Sequence, residues 1–256
     1  MQGLKEVQQY WDEYTTSVQA QFTNERYGSK EYFREIRKHH DKAYDLSNQI
    51  IDLPSLNGKS VLEIGCGIGL DALLYAQQGA RVTAIDISLT CIEMAQKYFS
   101  YHDLQATFEI QNAEVLGYAD NSFDVVVARQ VLMYTPHPER AVEEMLRVVR
   151  PGGKTVSLLH NRHSWYALLG KVSGTNLVAE VRDPPVDKLH SIAEARNMFK
   201  GFSAVDIFLD RYPFKTTRRS GVLTKLYNIG FVPVVNMVPR RILRPFGYYI
   251  IIKATK

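Results

Sequence analysis

A chain of 256 residues with 45% hydrophobic content is long enough for one sizeable α/β domain carrying insertions and too short for two full domains. Its two cysteines, Cys66 and Cys91, exclude a disulfide framework and read as small buried apolar groups. The N-terminus M-Q-G-L-K-E-V-Q-Q-Y-W has no basic-then-apolar leader, and no run approaches the ~18 apolar residues of a membrane span, which predicts a soluble, cytoplasmic protein. The net charge of +4 conceals an asymmetry. Residues 211–256 hold ten Lys or Arg and no Asp or Glu, leaving −6 on the first 210 residues. Such a segment is either a solvated basic face or a surface that meets an anion: a substrate carboxylate, a phosphate or a membrane.

Residues 4–50 are helical in pattern, with Tyr10, Trp11, Tyr14, Val18 and Phe22 on one stripe and a break at Tyr27-Gly28-Ser29. They cannot belong to a sheet, so residues 1–55 are expected to fold as a helical lid over the mouth of a core spanning 56–256. From Ser60 onward strands and helices alternate, which demands a parallel sheet covered on both faces. Strands are predicted near 60–65, 81–86, 107–111, 124–129, 154–160, 203–211 and 247–254, and helices near 69–79, 89–101, 138–149 and 190–199. Arg150-Pro151-Gly152-Gly153 predicts a turn in which both glycines permit positive φ. Insertions at 161–190 and 212–246 complete the chain. The first holds Trp165, Tyr166, Gly170 and Gly174, and in the second Pro213, Pro233, Pro239 and Pro245 punctuate apolar pieces. Such inserts lie where doubly wound folds build substrate pockets.

The most informative stretch is V-L-E-I-G-C-G-I-G, Val61 to Gly69, followed by Val82 to Asp86. It reads as a buried strand, a tight glycine turn and a helix, with an acid at the tip of the next strand placed to accept ribose hydroxyls. A dinucleotide turn wants G-x-G-x-x-G, but the position of its third glycine is Leu70. Glu63 and Asp71 would repel a pyrophosphate and suit a cationic, amino-bearing ligand. With Glu63, Gly65, Gly67 and Gly69 matching E/D-x-G-x-G-x-G, the chain resembles the class I S-adenosylmethionine-dependent methyltransferases. Phe123 to Ala128 and Glu144 to Lys154 match later motifs of that family.

The resemblance implies a doubly wound, Rossmann-like α/β fold with seven strands in the order 3-2-1-4-5-7-6, the last antiparallel. It also implies S-adenosyl-L-methionine as cofactor. Gly65, Gly67 and Gly69 would line its methionine portion, with Cys66 inside the turn. Asp86 would take the ribose and Ile87 pack on the adenine. Asn112 and Ala113 stand where relatives carry an acid and the next backbone N–H to the ring, so the amide oxygen of Asn112 would accept that hydrogen bond without charge assistance. Arg129 and Gln130 face the same cleft, where Arg129 is as readily a surface ion-pair partner as a ligand contact.

After strand four many relatives read V-L-H-H-T-P, whereas Val131 to Pro136 reads V-L-M-Y-T-P. That removes the obvious base and leaves Tyr134 and His160 as catalytic candidates, His160 ending the fifth strand. A carboxylate acceptor needs no base and would want guanidinium partners, for which Arg211, Arg218, Arg219, Arg240, Arg241 and Arg244 are candidates. The apolar run from Val222 through Val235 would enclose the acceptor's body, lie on a membrane or form a homodimer interface.

O-methylation of a small or medium organic acceptor in a biosynthetic pathway is the expected function, with N- or C-methylation of a similar acceptor as the alternative. An NAD-type oxidoreductase is opposed by Leu70. Nucleic-acid modification is opposed by the lack of an aromatic-flanked N-P-P-Y or D-P-P-Y tetrapeptide, since Asp183-Pro184-Pro185-Val186 has no aromatic and lies after strand five. No metal site is expected.

Overall fold

Successive residues of a strand point to opposite faces, and here both faces are apolar. On β1 (Ser60–Ile64) Val61 goes to one core cluster and Leu62 and Ile64 to another. On β4 (Phe123–Arg129) Val125 and Val127 oppose Val126 and Ala128 in the same way. Strands buried on both faces need helices on both faces, each fully buried aliphatic side chain contributing roughly 1.5–3 kcal/mol. The computed structural model describes residues 2–17, 23–173, 184–211 and 225–256.

One seven-stranded sheet results, with the strand order β3-β2-β1-β4-β5-β7-β6 that the family resemblance implies. β2 is Arg81–Asp86, β3 Thr107–Ile110, β5 Val149–His160, β6 Ala204–Asp210 and β7 Tyr249–Thr255. β7 runs antiparallel to both β5 and β6, and the other pairings are parallel. Four helices pack on the sheet: α4 (Leu70–Gln77), α5 (Leu89–Phe99), α6 (Pro138–Val148) and α8 (Ile192–Met198). Ser88 caps α5, its Oγ accepting the Cys91 N–H at 3.1 Å, and Ser191 and Glu194 form a capping box on α8.

Three details depart from expectation. The N-terminal segment forms three helices rather than two: α1 (Gln2–Ser17), α2 (Lys30–Ala43) and α3 (Asp45–Ile51). The extra break falls at Tyr44, whose φ of −122° leaves the helical region. At Arg150–Gly153 the chain stays within β5 as an irregularity, the register jumping from Phe123↔Val149 to Val125↔Lys154. Only Gly152 has positive φ there; Gly153 is required by close approach, because a Cβ would lie 2.8 Å from the Asp124 carbonyl oxygen. Finally, Pro233 does not interrupt its segment. A π-helical turn, Tyr227–Phe231, leads straight into α9 (Val232–Met237), and proline there occupies the first turn of the new α-helix, where its missing N–H costs little.

Of the first insertion, α7 (Trp165–Ser173) is described, and its return at 184–190 runs past strand four's end, where Lys188 N–H donates to the Met133 carbonyl at 2.9 Å. Val18, Phe22, Gly174, Asp183, Pro213, Arg218, Arg219, Val222 and Leu223 lie outside the described residues. Among the described residues no helix is long and apolar enough to cross a membrane.

Candidate cofactor and acceptor site

At the carboxyl ends of β1, β2 and β4 a cavity of about 340 Å³ opens. Its floor is the glycine turn, which hangs on strand two: Gly65 and Cys66 N–H groups both donate to the Ile85 carbonyl, at 2.8 and 2.9 Å. Gly65, Gly67 and Gly69 are all left-handed, with φ of 69°, 51° and 80°, but they do different work. A Cβ on Gly65 would strike Val131 at 2.2 Å and one on Gly69 would meet Ala95 of α5 at 2.9 Å, whereas Gly67 faces open space. Gly67 and Gly65 line the cavity and Gly69 does not; it lies instead where the turn packs on α5.

Asp86 closes one side. Its Oδ2 accepts the Gly67 N–H at 2.9 Å and its Oδ1 the Ser88 N–H at 3.0 Å. Burial raises its carboxyl pKa against these backbone donors. Ile87, Asn112 and Ala113 continue the wall. Asn112 Oδ1 accepts the Glu114 N–H at 3.0 Å, an Asx turn that uses one of the two lone pairs the sequence assigns to a ligand. Cys66 and Cys91 also border the cavity, and burial pushes both thiols up, so neither is a nucleophile. No cluster of metal-ligating side chains occurs among the described residues.

The acids behind the turn behave differently from one another. Asp71, at the start of α4, is ion-paired with Arg129 in the interior, their side chains 9% and 5% exposed. His40 of α2 approaches from the other side, Nε2 3.5 Å from Asp71 Oδ2. Burial alone would raise the Asp71 carboxyl, but Arg129 and His40 outweigh it and hold it down at about 2. Arg129 also donates to Ser47 Oγ (2.7 Å), Asn48 Oδ1 (2.8 Å) and Tyr75 Oη (3.0 Å). The ion pair expected of Arg129 is present but buried rather than at the surface, and Arg129 also lines the cavity. It is a buried clamp joining β4 to α3 and α4, and it cancels the charge that Asp71 was expected to offer. Glu63 lacks such compensation: burial and then Asp71 raise its pKa well above the usual carboxylate range, and its Oε2 has no hydrogen-bond partner.

The remaining walls come from the N-terminal helices, through Leu4, Val7, Trp11, Tyr14, Thr15, Ile36, His40 and Tyr44. Of these, periodicity marks Trp11 and Tyr14; the others carry no signal in the sequence that sets them apart. α1 is tied to the β2–α5 junction by Asp12, whose Oδ1 accepts Ser88 Oγ–H at 2.6 Å and Thr90 N–H at 3.2 Å. α2 is tied to α4 by Arg37, which donates to the Leu70 carbonyl at 3.1 Å. Trp11 meets Tyr134 edge-on at 5.1 Å.

Opposite the glycine turn, Gln130 ends strand four with φ +54°. Its amide donates to Tyr44 Oη at 2.6 Å and to Tyr249 Oη at 2.7 Å. Arg211, also left-handed at φ +64°, donates to the same Tyr249 Oη at 2.8 Å and lies over that ring at 5.1 Å. Tyr134 and Arg211 line the cavity. His160 does not: it is 3% exposed, stacked on Tyr248 and Tyr249 at 4.6 and 5.9 Å, with Tyr134 edge-on at 5.9 Å. Tyr134, Tyr248 and Tyr249 surround the histidine expected at the cleft face. None of the described apolar residues of the second insertion lines the cavity either; Tyr227 and Val232 instead pack with Trp165 in a separate cluster.

Residues 62–157 match the family profile described as a methyltransferase domain. That part of the chain is a methyltransferase domain. Outside it similarity thins. The ubiquinone biosynthesis O-methyltransferase of Coxiella burnetii is 32% identical over 109 residues, 43% of this chain and 47% of that protein. Methyltransferase GfsG of Streptomyces halstedii is 30% identical over 155 residues, 59% of this chain and 56% of that one. The chain thus spans about half the length of the curated relatives it matches. Among solved structures, the magnesium protoporphyrin IX methyltransferase of Synechocystis superposes with a TM-score of 0.62 at 16% identity, covering 99% of both chains. The YcgJ protein of Bacillus subtilis gives 0.60 at 20% identity, covering 82% of this chain and 97% of that one. At those identities the likeness concerns the fold.

The residues around the turn of this methyltransferase domain fit the cofactor of its class. The orphaned, buried Glu63 Oε2 suits an ammonium donor. The open space over Gly67 admits a chain lying against the backbone, and the fixed carboxylate of Asp86 has lone pairs left for hydroxyls.

Proposed function

We propose that this protein transfers the methyl group of S-adenosylmethionine to an oxygen of a small or medium organic acceptor with an anionic group and an apolar body. The cofactor supplies an electrophilic sulfonium methyl group. The chain supplies alignment and dryness, which for an in-line displacement lower the barrier most: positioning contributes up to roughly 7–11 kcal/mol. In this reading Glu63 receives the cofactor's ammonium group, Asp86 its ribose, and Ile87, Asn112 and Ala113 its base, while α1 to α3 act as the lid that excludes water.

The observation that carries the acceptor reading is the corner formed by Tyr44, Gln130, Tyr249 and Arg211. Two phenol oxygens are held by one amide, and a guanidinium on the cavity wall holds one of the same phenols. A carboxylate arriving there meets a cation and needs no base, because its nucleophilic oxygen carries no proton. Oxygen as the methylated atom is supported by the relatives whose names specify O-methyl transfer. A protonated oxygen acceptor, phenol or alcohol, is the second reading. It is favoured by His40, which lines the cavity within 3.5 Å of a carboxylate able to orient it. Tyr134, at the wall between Trp11 and His160, is the residue best placed to position either acceptor.

Methyl transfer measured by mass spectrometry on a matched acid, phenol and amine discriminates the two. Under the carboxylate reading the acid turns over, and Arg211→Gln lowers its kcat/KM ten- to about a hundredfold, the worth of a charged hydrogen bond of roughly 1.5–3 kcal/mol. Turnover of the phenol alone, abolished by His40→Asn, establishes the second reading. If neither is methylated on oxygen while the amine is, the proposal fails.

A further inference from the structure

Eleven large hydrophobic side chains are exposed among the described residues, and six of them crowd into a stretch of 21: Leu226, Ile229, Val234, Met237, Ile242 and Phe246, between 46% and 83% exposed. Scattered exposed leucines need no explanation, but a cluster of this density marks an interaction surface. It is not a loosely folded tail. The opposite side of the same helical segment is anchored: Tyr227 and Val232 are 8% and 3% exposed, and Tyr227 and Phe231 contact Trp165 at 6.1 and 6.4 Å. Trp165 is itself fixed by its indole N–H donating to the Arg211 carbonyl at 2.8 Å. The segment therefore has one face bound to the domain and one apolar face turned to solvent.

The charge pattern selects the occupant. Residues 225–246 contain Lys225, Arg240, Arg241 and Arg244, and the chain has no acid anywhere after Asp210. A second copy pairing through a two-fold axis would lay this patch against itself, cation against cation, with no carboxylate in the segment to answer. An anionic lipid surface accepts both features at once, the apolar side chains entering the interface and the cations meeting headgroups. The helical stretch 225–237 is far short of the ~20 residues needed to span a bilayer, so it lies on the surface. We propose that residues 225–246 form a peripheral docking face for an anionic phospholipid bilayer. Because Arg211 borders both the Trp165 cluster and the cavity, the docked face adjoins the wall of the acceptor site.

Flotation of the purified full chain with vesicles of phosphatidylcholine containing about a third phosphatidylglycerol tests this, with pure phosphatidylcholine as control. Met237→Asp and Ile229→Asp are chosen because both side chains are mostly in solvent, 83% and 75% exposed, and unchanged melting temperatures verify their fold. The expected result is partition onto the anionic vesicles at least tenfold above the neutral control, a tenfold or greater loss in each variant, and weakening on going to half-molar salt. Failure to float, equal partition onto both vesicle types, or undiminished partition of the folded variants overturns the proposal. So does a concentration-dependent dimer in sedimentation velocity that the same substitutions dissolve without any vesicle binding.

Discussion

Asp71→Asn isolates what the buried clamp contributes. The substitution keeps shape and hydrogen-bonding capacity but leaves the Arg129 guanidinium, 5% exposed, without its carboxylate partner. Three neutral acceptors, Ser47 Oγ, Asn48 Oδ1 and Tyr75 Oη, remain. Removing one member of a buried ion pair typically costs about 3–5 kcal/mol, and the surviving neutral bonds put this case at the lower end, about 3 kcal/mol. For a chain of this size that is a fall in Tm of roughly 6–12 °C. Urea unfolding at pH 7.5, followed by the fluorescence of Trp11 and Trp165 and by circular dichroism, measures it. The pH dependence supplies an independent check. Asp71 titrates at about 2 in the folded protein against an ordinary 3.8. A depressed folded-state value gives stability that is complete above about pH 4 and disappears as pH falls towards 2, so the gap between wild type and variant closes over that window. In the double variant Asp71→Asn/Arg129→Met the two losses are non-additive by about 2 kcal/mol, as expected for contacting residues. A single variant within 0.5 kcal/mol of wild type, with additive behaviour in the double, refutes the clamp.

Three further outcomes are expected. Glu63→Gln stabilises the ligand-free protein at pH 7.5 by about 1 kcal/mol, because a carboxyl raised by burial gives stability only below its ordinary range and loses it as pH rises; the same change weakens S-adenosylmethionine binding in calorimetry, and unaltered affinity would remove Glu63 from the site. Asp86→Asn leaves one oxygen where Gly67 N–H and Ser88 N–H now use two, and it lowers cofactor affinity about ten- to a hundredfold; equal affinity would mean that the ribose is held elsewhere. Asp12→Ala deprives Ser88 Oγ and Thr90 N–H of their acceptor, so amide exchange in α1 accelerates about five- to tenfold, the equivalent of ~1 kcal/mol, and an unchanged exchange pattern there would show that α1 is fastened by other contacts.

What could be read from the sequence was what is local or periodic. Apolar runs of strand length, the glycine turn and the acid at the end of β2 located the sheet to within a few residues, because burial on both faces leaves a continuous apolar signature. The start of β5 was misplaced because an irregular strand opening with Pro and Gly looks like a turn. The site was half legible. The glycine-turn side is one contiguous motif, but the corner proposed for the acceptor is assembled from Tyr44, Gln130, Arg211 and Tyr249, which lie on three helix or strand ends and a loop and share no period. The Arg129–Asp71 clamp joins residues 58 apart, and nothing in either neighbourhood announces the other. His160 lies off the cavity for the same reason: Tyr248 and Tyr249, which stack on it, come almost ninety residues later.

Gln130 sits in a backbone region that costs a non-glycine residue on the order of 1–3 kcal/mol, and it stays there while its one amide group serves two phenols from opposite ends of the chain. Its fitness is therefore conditional on Tyr44 and Tyr249 together. Changing either tyrosine alone leaves the strain in place and removes one of the two bonds the amide makes, whereas a joint replacement can relieve all of it. Acceptor preference in this protein should consequently be reached by stepwise mutation only with difficulty and by concerted exchange of the trio with ease, an epistatic lock on the half of the site that the donor motif leaves free to vary.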